Sequence, residues 1–569
     1  MKPAPAPRPA RTPAGAIVQN PRAPGRETIE SIVVAFTLAL LFRTFEAEAF
    51  VIPTGSMAPT LMGRHKDLAC ESCGREFRVG CSAEEDEDAQ RKRGELSALE
   101  AGNRDPARAA RLRMALADKL VARARCPNCG HTTQLLDGEG RDRRYDPRYP
   151  SFSGDRILVD KFAYDFAAPR RWDVAVFKYP EEAKTNYIKR LVGLPGETLS
   201  ISGGDIWTAR DGEQPEIARK PTDRLRAMLQ LVHDSRYVSP ALVAADWPTA
   251  WTPWSADGGG WSTDDDGRSF GVSLTADESA TLRYRHVIPS PDTWQAISAG
   301  ADVRGAATPR LVGDAQPYNA DSLGPHWVGD LAVEVDLESR GTTGSVTLDL
   351  VEAGMIHRCT IDLADGTATI ASDGLGDSLP RAVTRVRGRG AWTLMFANVD
   401  DALTLFVDGR PVGFTGDTRR LRTLDEALED APVAKGGLPG GPVDDLAPAG
   451  VTATGADVRL ARLRLHRDVY YVASGELMAM TGRAPEERVL SFVIGPDEYF
   501  MLGDNSSASK DSRAWDKVHA VHRSLMVGRA LVVFWPHMIP ASWSVPLRFR
   551  GQEVRLPSWP NFARMTFVR

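Results

Sequence analysis

The stretch "NYIKRLVGLPGETLSI", Asn186 to Ile201, decides how the fold is read. Apolar and polar residues alternate through its first half, the period-two pattern of a β-strand, and "LPGE" then turns the chain. "GDRILVDKF" (Gly154–Phe162) and "WDVAVFKYP" (Trp172–Pro180) repeat that texture, so this part of the chain reads as β-sheet. In an alternating strand Tyr187, Lys189 and Leu191 share one face, while Ile188 and Arg190 share the other. A lysine on a buried face loses hydration, which lowers its pKa and lets it act as a base near neutral pH. A solvent-facing strand lysine is the plain alternative, and the commoner one by residue statistics.

Such a base needs a nucleophile. "VIPTGSMAPTL" (Val51–Leu61) presents Ser56 on a bend stiffened by Pro53 and Pro59. Alone this is a turn with a serine in it; beside a neutral lysine it is an activated hydroxyl.

At 569 residues the chain exceeds what one hydrophobic core usually organises. Its net charge of -5 gives no electrostatic case for nucleic-acid binding. Residues 1–28, rich in Pro, Ala and Arg, read as a disordered basic tail. Residues 29–45 read as a transmembrane anchor, although the uncharged run from Ser31 to Phe42 is shorter than the roughly 20 residues a spanning helix needs. The basic tail predicts a cytoplasmic N-terminus and an exported remainder. A cleavable secretory signal ending at "AEA" (Ala47–Ala49) fits the same pattern, and also exports the bulk of the chain.

Four of the six cysteines fall into two matching units, "CESCG" (Cys70, Cys73) and "CPNCG" (Cys126, Cys129). Two C-x-x-C turns of this kind can supply four sulfurs to a structural zinc, whereas an exported location favours disulfides. Four cysteine ligands leave no open position for catalysis, so the unit reads as a staple. Between the units, about Ala83 to Arg125, Leu112, Leu116 and Leu120 recur at helical spacing, and no glycine or proline interrupts Ala107 to Arg125.

"IPTGSMAPTL", "GDRILVDKF", "YIKRLVGLPGE" and "GDNSSASKDSR" stand in the order of the four blocks of a bacterial type I signal peptidase, and the chain resembles that family. The resemblance implies Ser56 as nucleophile and Lys189 as general base, with Thr54 and the Ser56 amide forming an oxyanion hole. It implies that Ser509 orients the lysine, that Asp511 and Arg513 form a supporting ion pair, and that Gly503, Asp504 and Asn505 open the turn. It implies no catalytic cofactor, a retained membrane anchor, and a domain resting on the outer face of the cytoplasmic membrane. The implied partners are the lipid bilayer, a nearby secretion translocon and preprotein signal peptides, cut after small-x-small motifs such as Ala-x-Ala. Ile52, Pro53, Tyr187 and Ile188 are the candidate pocket residues for an extended peptide.

The chain departs from the family pattern in three places. A cysteine module intervenes between the nucleophile block and "GD"; "RWD" (Arg171–Asp173) stands where the family tends to have Arg-Gly-Asp; and Glu197 replaces the usual aspartate.

About 300 residues separate "LPGETLSI" from the last block. "DRLRAMLQLVHD" (Asp223–Asp234) reads as a helix, and "SPALVAADWPTAWTPW" (Ser239–Trp254) as a linker. Beyond it, short alternating runs with Asp-Gly turns read as a β-sandwich. "WTLMFANVDDALTLFVDGRPV" (Trp392–Val412) resembles a hairpin of laminin-G and concanavalin-like domains, which often bind ligands.

The expected fold is therefore mainly β: a signal-peptidase-type antiparallel β catalytic core with an N-terminal transmembrane helix, a Cys-rich helical insertion and an inserted β-sandwich. The core is split into 46–61, 154–202 and 472–569. The zinc-ribbon-like insertion occupies 62–153, a linker 203–257 and the sandwich 258–471. The rival function is an exported glycan-binding protein whose peptidase core is inactive. A self-cleaving repressor-type Ser-Lys protease is disfavoured by the apolar N-terminal segment and the lack of a basic patch for DNA.

Overall fold

The structure, a computed structural model, describes residues 29, 31–34, 47–102, 105–137, 144–146, 148–255, 260–320, 324–376, 379–473, 489–535, 546–549, 552–555 and 562–569. The expected tail at 1–28 and most of the expected anchor at 29–45 lie outside these residues. Met1–Glu48 and Ala49–Arg569 are two separate units. In the first, residues 29 and 31–34 are helical and exposed. Among the described residues no helix is long and apolar enough to cross a membrane.

Asn186–Gly193 of the opening stretch is an inner strand of one antiparallel sheet, and Glu197–Ser202, after the turn, belongs to a second. The strands of the first sheet include β1 (Arg156–Asp160), β2 (Val174–Lys178), β3 (Asn186–Gly193), β4 (Glu498–Leu502) and β5 (Met526–Trp535). They lie in the order β1-β5-β2-β3-β4, so strands from before and after the large insertion interleave. Along β2, Val174 and Val176 pack with Met57, Ile157 and Val159, while Ala175 and Phe177 pack with Leu191, Met501 and Trp515. Both faces are thus covered, which alternation alone did not reveal. Arg190 shows the consequence: it is fully buried rather than facing solvent.

Each insertion leaves and re-enters the core at a closed point. Met62 N donates to Asp155 Oδ2 at 2.9 Å and Asp155 N donates to Met62 O at 2.8 Å, sealing the base of the cysteine module. Tyr471 N donates to Gly204 O at 2.9 Å, closing the base of the large insertion. Because the core itself holds these ends together, the length between them perturbs the sheet little.

Two departures from the family pattern meet here. Arg171 Nη2 donates to Glu197 Oε1 at 2.7 Å, tying the start of β2 to the turn after β3. Trp172, where the family tends to have glycine, sits at φ 74°, a region costly for a side chain. Its indole is buried against the ammonium of Lys220, 5.0 Å from the ring, and this packing offsets the backbone cost.

The large insertion holds two antiparallel sheets that share one core, including Val333, Leu348, Phe396, Val451 and Leu463. It begins earlier than expected. Within the supposed linker, Gln230–Asp234 is a strand paired with Asp457–Arg467, and Trp251–Pro253 pairs with Ser279–Tyr284. The expected helix at Asp223–Asp234 stops at Met228 accordingly. Trp251 joins the sandwich core, and such long-range burial overrides local proline-rich composition.

In the cysteine module, helices Glu87–Ala101 and Pro106–Ala117 lie between the two C-x-x-C turns, capped by Asp86 and Asp105. The expected helical run to Arg125 ends early, because Arg123–Arg125 pairs with Thr132–Gln134. Each C-x-x-C turn closes a hairpin: Gly74 N donates to Cys70 O and Gly130 N to Cys126 O, both at 2.9 Å. Gly74 and Gly130 share φ 75°, where glycine is strain-free.

Candidate active site

The chain leaves Thr54 in extended conformation and enters a 3₁₀ turn, Gly55–Met57, closed by Ala58 N donating to Gly55 O at 3.0 Å. This turn lies over β3. Lys189, paired across the sheet with Ala175, points its Nζ at Ser56 Oγ, 2.6 Å away, and also donates to Ile188 O at 3.1 Å. Both side chains are buried, and the Lys189 Nζ lies 5.4 Å from the Tyr187 ring. Burial lowers the Lys189 pKa to about 8, while Asp511 and Asp504 act in the opposite sense.

The last block wraps this pair. Arg513 forks onto Asp511, with Nε–Oδ1 at 2.8 Å and Nη2–Oδ2 at 2.7 Å, and Gly503 N donates to Asp511 Oδ2 at 3.0 Å. A Cβ on Gly503 would lie 2.4 Å from Ser56 O, so only glycine allows this approach. Asn505 N donates to Ser56 O at 3.1 Å, and Asn505 Nδ2 donates to Gly55 O at 3.0 Å. Asp504 does more than open a turn. It receives a fork from buried Arg190 at 2.7 and 2.6 Å and the hydroxyl of Thr60 at 2.5 Å, joining β3 to the loop that carries Ser56.

Ser509, expected to orient the lysine, does not make a hydrogen bond to it. Its Oγ is buried without a hydrogen-bond partner and would lie 2.2 Å from a Cβ at Gly503, so it gives Lys189 no hydrogen bond here. Thr54 is exposed.

A cleft of about 570 Å³ opens over Ser56 and Lys189, and Ile52, Pro53, Thr54, Tyr187 and Ile188 all line it. Gly80 and Ser82 of the cysteine module and Tyr318, Asn319 and Ala320 of the large insertion also line it, as do Asn505, Ala508 and Lys510 of the last block. No sequence signal pointed to the five insertion residues. They come from separate insertions, and only the closed insertion bases bring them to Ser56.

The four cysteines of the two knuckles converge, and none of them lines this cleft. Their sulfurs all lie within 4.8 Å of one another, with Cys70–Cys129 at 3.5 Å and Cys73–Cys126 at 3.6 Å. None is in a disulfide. A tetrahedral zinc with Zn–S near 2.3 Å sets sulfur edges of about 3.8 Å, so the four donors fit that ion.

Residues 147–239 and 437–535 match the family described as signal peptidase, peptidase S26, and the matched segments include Lys189 and the block from Gly503 to Arg513. Signal peptidase I of Pseudomonas aeruginosa is 50% identical over 82 residues, 11% of this chain and 29% of that protein. Signal peptidase I of Leptolyngbya laminosa is 42% identical over 76 residues, 12% of this chain and 37% of that protein. The chain thus spans well under half the length of these two relatives. Among solved structures, the carbohydrate binding module CBM66 from Bacillus subtilis is similar at 12% identity and a TM-score of 0.21, covering 37% of this chain and 92% of that one. A Bacillus subtilis protein of unknown function with a galectin-like fold is similar at 9% identity and a TM-score of 0.24, covering 42% and 98%. Likenesses that weak carry no argument about a ligand. The sequence matches support a serine peptidase, a hydrolase of peptide bonds, similar to the type I signal peptidases.

Proposed function

We propose that this protein is a membrane-anchored serine endopeptidase that removes signal peptides from exported preproteins after small-x-small sites, using a Ser56–Lys189 dyad. The observation that carries the reading is the 2.6 Å contact between Ser56 Oγ and a buried lysine whose pKa is lowered to about 8. Neutral Lys189 takes the Ser56 proton as Oγ attacks the scissile carbonyl. The Ser56 amide and Thr54 Oγ hold the developing oxyanion. The protonated lysine then passes its proton to the leaving amine. In the second step it activates a water that hydrolyses the acyl-enzyme.

The substrate strand lies along the cleft walled by Ile52, Pro53, Tyr187 and Ile188. Residues 29–45 anchor the chain in the cytoplasmic membrane with a cytoplasmic N-terminus, which places the cleft on the outer face beside the translocon. The knuckles bind one structural zinc through Cys70, Cys73, Cys126 and Cys129, and catalysis uses no cofactor. The laminin-G-like sandwich recognises a further ligand. A glycan-binding protein with an inactive core is the weaker reading, since such a core has no reason to keep Lys189 against Ser56.

The test is cleavage of a preprotein ending in Ala-x-Ala by detergent-solubilised wild type, Ser56→Ala and Lys189→Ala, with N-terminal sequencing of the enzyme. Only wild type should cut. Equal activity in all three removes the dyad, and an enzyme beginning at Phe50 removes the anchor.

A further inference from the structure

The segment from Asp314 to Ala320 belongs to the large insertion, yet it grips the nucleophile turn. Arg467, at the end of a sandwich strand, donates through Nη2 to the carbonyls of Asp314 and Ala315, both at 3.0 Å. This fixes the segment to the sandwich. At its far end the Tyr318 ring is wedged between two glycines from different parts of the chain. A Cβ on Gly55 would lie 2.0 Å from Tyr318 Cε1, and one on Gly80 would lie 2.2 Å from the same atom. The backbone bond from Gly80 N to Tyr318 O at 2.7 Å and the bond from Tyr318 Oη to Arg64 O at 3.0 Å lock the ring in place.

Asn319 follows directly. Its amide makes a reciprocal pair with the Asn505 amide, with Asn319 Nδ2 to Asn505 Oδ1 and Asn505 Nδ2 to Asn319 Oδ1 both at 2.8 Å. Asn505 Nδ2 spends its other hydrogen on Gly55 O, at 3.0 Å. That carbonyl and the Ser56 N–H belong to one planar trans peptide and point in opposite directions. Holding the Gly55 carbonyl therefore aims the Ser56 N–H. Asn505 is buried, but without Asn319 its side-chain carbonyl loses a partner and its amide loses the bond that fixes its orientation.

We infer that Asn319 is a positioning residue, supplied by the inserted sandwich, which aims the Ser56 amide at the oxyanion through Asn505. The inserted domain is then part of the peptidase site rather than an appendage to it. This rests on the Ser56–Lys189 peptidase reading.

The experiment uses the full-length protein in detergent and the Ala-x-Ala preprotein, with Asn319→Ala, Asn505→Ala and the double variant. Hydrogen exchange of the peptide covering 52–62 is followed in parallel without substrate. Asn319→Ala should lower kcat about three- to tenfold with KM within about twofold, the range one net hydrogen bond allows. The double variant should be no slower than Asn505→Ala, because both changes act through one path. Exchange in 52–62 should quicken in Asn319→Ala. Multiplicative losses in the double variant, or an unchanged kcat in Asn319→Ala, overturn the proposal. If wild type fails to cut the preprotein, the peptidase reading falls. The exchange then decides the clamp by itself, and unchanged rates in 52–62 overturn it.

Discussion

The pH dependence of cleavage is the sharpest consequence of the buried lysine. An ordinary lysine near pKa 10.4 is about 0.04% neutral at pH 7, whereas one at about 8 is about 9% neutral, so burial supplies about 200-fold more base. Only the neutral amine can take the Ser56 proton, so the active fraction grows as pH rises. kcat/KM should climb about tenfold per pH unit below 8 and level off above it, standing about a hundredfold below the plateau at pH 6. The limb reports the free enzyme, in which Lys189 already touches Ser56. Asp511 and Asp504 raise this pKa against burial. Neutralising Asp511 as Asn should therefore shift the limb to lower pH, provided thermal unfolding shows the Arg513 fork has not cost the fold. The assay is initial-rate cleavage of the preprotein from pH 5.5 to 10, with Ser56→Ala as background and thermal unfolding at each pH. A profile that is flat from pH 6 to 9, or that bends near 10, refutes Lys189 as a desolvated base.

Thr54→Val should leave the unfolding midpoint almost unchanged, since Thr54 is exposed, yet lower kcat about 100- to 1000-fold if its hydroxyl is an oxyanion donor; kinetics beside calorimetry checks both halves. Arg190→Leu strands buried Asp504 without its partner and should cost about 3–5 kcal/mol by urea titration, part of which Arg190→Leu with Asp504→Leu recovers. One zinc per chain should appear by elemental analysis, and Cys129→Ser should lose it and lower the unfolding midpoint; a metal-free wild type of equal stability would remove the zinc.

Much of the site could be read from residues in order. Alternation in β3 put Tyr187, Lys189 and Leu191 on one face, and Tyr187 and Leu191 do join one cluster. The knuckle turns follow from C-x-x-C-G spacing, because that geometry is local and needs only a glycine with positive φ. The strands hidden in the proline- and tryptophan-rich stretch were not legible, since Trp251 is held by a core formed from residues far along the chain. Nor was the buried Arg190–Asp504 fork, whose members are 314 residues apart.

By itself, the sequence determined the strand character of β1 to β3, the chemical identities of Ser56 and Lys189, and the paired thiol turns. These depend on side-chain type and on periods of a few residues. Only the tertiary structure decided that Ser56 and Lys189 meet at 2.6 Å, that Ser509 Oγ makes no hydrogen bond to the lysine, and that Tyr318 and Asn319 of the insertion wall the cleft. Those outcomes depend on where two long insertions return to the sheet. That is set by packing and by hydrogen bonds between distant residues, which no local pattern encodes.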